Sequence, residues 1–191
     1  MTTTIGPTTQ RERAIAVVNA AFRNDPIARW VYPDDAVYEA AFPRIINAMS
    51  GHAFDNGSAY ATSDLAGVAL WLPPGVQSDG EAMGAVMEET VAPELLDDLM
   101  GFAEVQGAMH LHEPHWYLPM IGVLPEHHGK GYGSQLLGYA TAIADGDKLP
   151  AFLEATTPDS RRLYERHGFE VVGEIQFGSS PTMWPMRREP R

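Results

Sequence analysis

The sequence predicts one mixed α/β domain, residues 1–191, whose sheet contains a parallel strand pair, and three observations carry that expectation. The chain has 191 residues, 45% of them hydrophobic, which is enough for one sizeable core, and no composition break divides it. Apolar runs of strand length alternate with segments of helical periodicity. In the C-terminal half the order is strand, glycine-rich loop, helix, strand, helix, and strands joined by a crossover helix lie parallel.

In chain order, RERAIAVVNAAF (Arg11 to Phe22) has apolar residues at helical spacing and runs into Asn24-Asp25-Pro26, a stop signal. YEAAFPRIINAMSGHAF repeats the helical pattern, with Pro43 marking a start or a kink. Asp55-Asn56-Gly57-Ser58 is a turn cluster, and SAYATS and AGVALWLPPG read as a hairpin closed by Pro73-Pro74-Gly75. From about Asp79 to Glu104 a Met-containing amphipathic stretch forms one or two helices. HWYLPMIGVLP (His115 to Pro125) is too short for a helix between its prolines and reads as a buried strand.

SQLLGYATAIAD is a helix ending at Asp145-Gly146-Asp147, and PAFLEAT (Pro150 to Thr156) is a strand. TPDSRRLYERHG has legible helix ends: Thr157 as cap, Pro158 first, Asp159 in the first turn, Arg166 and His167 in the last, and Gly168 beyond. FEVVGEIQF and PTMWPMRRE close the chain as antiparallel strands.

Composition narrows the function classes. Without Cys there is no disulfide, thiolate metal site or Cys nucleophile. No window approaches the roughly 18 apolar residues of a membrane span, and MTTTIGPTTQRER has no charged and apolar leader pattern, so a cytoplasmic location is expected. The net charge of -12 is uneven: no Lys or Arg lies between Arg44 and Lys130, where twelve carboxylates stand. Such an interval repels nucleic acid and either attracts a cationic small molecule or forms a solvated face.

The stretch HHGKGYGSQ puts three glycines within five positions directly after the predicted strand. A loop of this kind leaves N–H groups unpaired at a helix start and binds phosphate. A Walker loop would need Gly where Leu124 stands and Ser or Thr where Gly131 stands; a dinucleotide fingerprint would need Gly at Ser134 or Leu136.

What remains, V-x-P-x-x-H-G-K-G-Y-G from Val123 to Gly133, resembles the acetyl-CoA pyrophosphate loop of the GNAT N-acetyltransferase superfamily, where Gln or Arg usually stands at His128. An imidazole also donates to phosphate, so altered affinity or pH dependence is expected there. HLHEPHWYLPMIGVLPEHHGKGYGSQLL, PAFLEATTPDSRRLYERHGFEV and TMWPMRREP resemble the puromycin N-acetyltransferase branch in order and spacing, as do AAFRNDPIARWVYPD and VALWLPPG more weakly.

The resemblance implies a GNAT fold: a mixed, mostly antiparallel sheet with a parallel pair splayed around acyl-CoA, and helices on both faces. It implies acetyl-CoA as co-substrate, with pantetheine along Ile121, Gly122 and Val123 and pyrophosphate on His128, Gly129, Lys130, Gly131, Tyr132, Gly133 and Ser134. A backbone N–H beside a strand bulge polarises the thioester carbonyl in this family, and Gly122 is the expected place for that irregularity. Lys130 adds charge to the loop or is simply solvated.

Amide formation from an amine and a thioester needs a base, a polarised carbonyl and an acid for the departing sulfur. The resemblance gives Tyr164 the role of acid; by spacing alone it is equally a packed aromatic beside Leu163 and Phe169. Glu154 is a charge in an otherwise apolar strand on the same face as Phe152, so it meets a cleft, a partner such as Arg161 or Arg162, or a shifted pKa. In the resembled enzymes the matching glutamate is the general base.

His110, His112 and His115 either hold a metal, which Pro114 disfavours, or edge an amine pocket together with Trp30, Tyr117 and Trp184. Those aromatics could equally be ordinary core. The reading is an N-acetyltransferase for a small, cationic or antibiotic-like amine, without metal, nucleic-acid or membrane partners, as monomer or homodimer. The alternative is a non-catalytic acyl-CoA sensor of the same fold.

Overall fold

Seven strands form one sheet in the order β1-β2-β3-β4-β5-β7-β6 in the computed structural model, which describes residues 3–191. They are β1 (Ile5–Pro7), β2 (Ala59–Thr62), β3 (Gly67–Leu72), β4 (Trp116–Val123), β5 (Ala151–Ala155), β6 (Glu170–Val171) and β7 (Trp184–Arg188). The helices are α1 (Arg11–Ala21), α2 (Pro26–Val31), α3 (Asp35–Ser50), α4 (His52–Asp55), α5 (Gly80–Thr90), α6 (Leu96–Met109), α7 (Tyr132–Asp147) and α8 (Pro158–Arg166). Among the described residues only β4 and β5 pair in parallel, joined through α7 as the crossover helix; every other pairing there is antiparallel.

Alternation along the strands gives the sheet two apolar faces. Val68, Leu70 and Leu72 join the core under α1 and α3, whereas Ala69 and Trp71 join the core under α7 and α8. Helices therefore cover both faces.

β4 departs from strict alternation at one place. Leu72 pairs with Tyr117 and Leu70 with Met120, so β4 carries one extra residue between them. The consequence is a change of face: Leu118 points into the α7 core and Met120 into the α1 core, although both are even positions. The irregularity expected at Gly122 thus lies at Leu118-Pro119. Gly122 pairs regularly with Val68, and its missing side chain serves packing: a Cβ there would stand 2.7 Å from the Ala21 Cβ and 3.2 Å from the Val18 Cα.

Three boundaries differ from the sequence expectation. Asn24-Asp25-Pro26 ends α1 but also begins α2, because the Asp25 carboxylate accepts from the N–H groups of Ile27 and Ala28 (3.0 Å each) and Pro26 fits the first turn. α3 starts at its own cap, Asp34, and runs through Pro43. The closing strand FEVVGEIQF shortens to β6 and an isolated bridge between Ile175 and Met183. Pro185 accepts from the Val172 N–H (2.9 Å) but has none to return, and the pairing ends there. β1, which extends the sheet edge, follows no legible alternation in the sequence.

Candidate active site

The parallel pair opens into a fork. β4 and β5 pair from Trp116↔Ala151 to Leu118↔Leu153, whereas β4 stays paired with β3 as far as Val123↔Gly67. Beyond the bulge, no strand pairs with the β5-facing edge of Met120 to Val123, with Pro119 lacking an N–H at the branch point.

The glycine loop continues from this edge. Gly129 (φ +76°) and Gly131 (φ +81°) take the left-handed backbone that side chains disfavour, and Gly131 caps α7 without any side-chain hydrogen bond. Among the described residues, the N–H groups of Gly131, Tyr132, Gly133 and Ser134 have no acceptor; the first N–H bonded back is that of Gln135, to Gly131 (3.0 Å). Gly133 leaves room for Leu163, whose Cδ2 would stand 3.2 Å from an added Cβ.

The loop side chains are engaged elsewhere. Tyr132 donates to Asp64 (3.0 Å) and accepts from Thr3 (2.9 Å), and Ser134 shares a 2.6 Å bond with His167. His128 donates from Nε2 to the Val123 carbonyl (3.0 Å) at the end of β4, so that nitrogen braces the strand rather than facing an anion. Lys130 is exposed. What this loop offers an anion is backbone N–H and the start of a 16-residue helix, which is the donor set a pyrophosphate requires.

On the other side of the fork lies a cavity of about 710 Å³. β5 contributes Glu154 and α8 contributes Tyr164, with Thr156 between them at the strand end. Glu154 has no Arg partner: Arg161 pairs with Glu165 and Arg162 with Asp159. Its Oε1 accepts from Gln106 Nε2 (3.1 Å), and the Tyr117 hydroxyl is its other polar neighbour. Burial pushes the Glu154 carboxyl above its ordinary range, partly offset by those two contacts. Burial also raises Tyr164, reinforced by the charges of Asp25 and Glu154, so the phenol stays protonated through the neutral range.

Asp25, Thr156 and Gln106 were not singled out by the sequence. Asp25 caps α2 with one oxygen and accepts from Thr156 with the other, tying α2 to the β5–α8 joint, and burial raises its carboxyl. The legible part of Asp25, a carboxylate before Pro26, is consumed by capping. Gln106 carried a usable signal: it continues the spacing of buried Leu99 and Phe102 on α6.

The histidine segment joins a helix end to a loop. His110 ends α6, and residues 111–115 form a loop along the cavity. His115 donates from Nδ1 to the Glu113 carbonyl (2.7 Å), so its Nε2 accepts from His110 Nε2 (3.2 Å). His112 is exposed, and among the described residues no three His, Asp or Glu side chains group as metal ligands. Burial and the neighbouring imidazoles push His110 down to about 4. Tyr117 and His115 line the cavity; Trp30 and Trp184 do not. Trp30 packs behind the cavity wall on Phe102 (5.6 Å) with its N–H on Ser179, and Trp184 carries the Arg161 guanidinium at 5.7 Å.

A model of the acetyltransferase (GNAT) family matches residues 69–169, from β3 to just past α8. The chain belongs to this family. As a GNAT protein it is an acyltransferase, and members of the family use acetyl-CoA as co-substrate. It is 27% identical over 180 residues to an uncharacterized N-acetyltransferase of Schizosaccharomyces pombe, covering 83% of this chain and 70% of the relative. Its structure is similar to that of the histone acetyltransferase HPA2 and related acetyltransferase from Corynebacterium glutamicum: TM-score 0.69, 26% identity, 100% of this chain and 98% of that one. The fold is also shared with a Drosophila melanogaster polyamine N-acetyltransferase that forms N-acetylagmatine: TM-score 0.66, 12% identity, 98% and 100% covered. No helix among the described residues is long and apolar enough to cross a membrane.

Proposed function

We propose that the chain transfers acetyl from acetyl-CoA to the primary amine of a small molecule, by direct attack in a ternary complex. The observation that carries this reading is the convergence of Glu154 and Tyr164, from β5 and α8, on one cavity at the mouth of the β4–β5 fork. The free N–H groups from Gly131 to Ser134 would hold the pyrophosphate, and the open edge at Ile121 and Val123 would hold pantetheine. Bound there, acetyl-CoA supplies an acetyl group already activated as a thioester.

The chain's residues then have distinct tasks. Glu154, whose carboxyl burial raises above its ordinary range, takes in its carboxylate form the proton that keeps the amine as an unreactive ammonium. As the C–N bond forms and the C–S bond breaks, Tyr164 gives its proton to the departing sulfur, and the second proton shed by the amide nitrogen restores the phenol. Gln106 and Tyr117 hold the glutamate in place. With no Cys, the most ready nucleophile for an acetyl-enzyme is missing, which favours direct transfer. Motif order favours an antibiotic-like acceptor of the puromycin type, edged by His115 and Tyr117.

The test is acetyl-CoA turnover, followed as free thiol, against a panel of amines that includes puromycin, with Glu154→Gln and Tyr164→Phe as controls. Turnover lost in both variants is expected. Tight CoA binding without turnover on any amine would overturn the reading in favour of an acyl-CoA sensor.

A further inference from the structure

The cavity is chemically lopsided, and its lopsidedness selects a substrate class. Its acidic and hydroxyl groups gather where β5 meets α8: Asp25 with Thr156, and Glu154 with Gln106, both carboxylates close enough to act on Tyr164. The walls supplied by α3, α5 and α6 are apolar, with Phe42, Ile45, Met83, Met87, Leu99 and Phe102. Among the described residues, no Lys or Arg lines the cavity. The one further carboxylate on its wall, Glu113, is paired with Arg187 at 2.6 Å.

Two polar groups on the α2 to α5 side, Tyr32 and Ser78, are already satisfied, and a third, Gln77, is exposed to solvent. Tyr32 bonds Thr90 (3.2 Å), and the Ser78 hydroxyl donates to the Met49 carbonyl (2.7 Å). A second charge carried there by a substrate would be desolvated without a partner. A carboxylate would meet no cation, and a distal ammonium would meet methionine and phenylalanine. The methionines are adaptable, so the wall fits apolar bodies of varied shape, and the volume suits a drug-sized molecule.

We infer that this chamber takes the apolar body of a monocationic primary amine and discriminates against polyamines, amino acids and basic peptides. The inference rests on the acetyl-transfer reading for its chemistry but on the chamber walls for its selectivity. It separates the acceptor from the acidic interval of the sequence, whose carboxylates, Asp98 and Glu113 aside, are exposed away from the cavity wall.

The experiment compares kcat/KM for propylamine, hexylamine, 1,6-hexanediamine and 6-aminohexanoate. Burying three further methylenes should raise hexylamine about fiftyfold over propylamine, and the diamine and the amino acid should each fall at least about a hundredfold below hexylamine. Values flat with chain length, or a diamine equal to hexylamine, would overturn the inference. Met83→Glu should raise the diamine-to-hexylamine ratio at least about tenfold, a ratio that does not depend on how much enzyme is folded; an unchanged ratio counts against the chamber. Calorimetry of the same amines on protein saturated with CoA separates the two readings. Binding that grows with chain length without turnover supports the chamber and sinks acetyl transfer, whereas turnover indifferent to chain length sinks the chamber alone.

Discussion

The loop from Gly129 to Ser134 and the chamber between α2, α3, α5 and α6 are built in opposite ways. The loop is local: consecutive residues, two left-handed glycines and a helix start produce a donor set from backbone alone. The chamber is assembled from helices that approach from distant parts of the chain, and its polar end needs Asp25, Gln106, Glu154 and Tyr164, which span 140 residues of sequence. A local device tolerates change in the side chains around it. A distributed one fails whenever any supporting element moves.

The sharpest test strikes the seam between the two regions. Tyr164→Phe and Glu154→Gln should each lower kcat about a hundredfold or more while acetyl-CoA affinity by calorimetry stays within about threefold, because neither group belongs to the loop. In the parent enzyme kcat/KM should rise with pH through a group titrating above the ordinary carboxylate range, since burial raises Glu154; Glu154→Gln should remove that limb. Equal loss of CoA affinity in both variants would erase the distinction between loop and chamber.

The loop itself should break through backbone conformation. Gly131→Val places a β-branched residue at φ +81°, where even an ordinary side chain costs about 1–2 kcal/mol, and should weaken acetyl-CoA binding at least about tenfold. Gly131→Asn, better tolerated in that conformation, should fall between the two. Identical affinities for Val and Asn would mean that the left-handed backbone is not what organises the N–H groups.

A stability test addresses the support shared by both regions. Gly122→Ala pushes a methyl within 2.7 Å of Ala21 and should cost about 1–3 kcal/mol by denaturant unfolding. No loss would mean that α1 shifts freely on β4.

The smallest effect is expected from His110. Its imidazole is neutral in the fold down to about pH 4, whereas in the unfolded chain it takes a proton near pH 6.5. Its contribution to stability is therefore present above pH 6.5 and lost as pH falls toward 4. In His110→Gln the melting temperature should decline less across that window, and an unchanged slope would show that other groups dominate. Glu154 and Asp25, both raised, act with the opposite sign as they protonate.

How much was legible follows the same division. The α8 boundaries, the parallel β4–α7–β5 unit and the β2–β3 hairpin are written in short-range signals: the Thr157 cap with its Ser160 partner, the glycines, the turn residues. Glu154 was legible because a charge in an apolar strand is locally anomalous. Trp30 and Trp184 were expected in the pocket on aromatic character alone, which says nothing about the direction a ring faces. The bulge was expected at Gly122 because glycine permits irregularity, yet that glycine is required by α1 while Pro119 marks the branch.

The sequence by itself determined the family, the sheet's parallel pair, the glycine loop and the two residues proposed for proton transfer, since each is carried by contiguous residues whose conformational preferences act over a few positions. Only the tertiary structure decided that Asp25 reaches Thr156, that Gln106 supports Glu154, and that the acidic interval faces solvent. It also decided that the cavity walls on α3, α5 and α6 are apolar. Those outcomes depend on which helix faces meet across the sheet, and a side chain's direction there is set by packing between elements far apart in the chain.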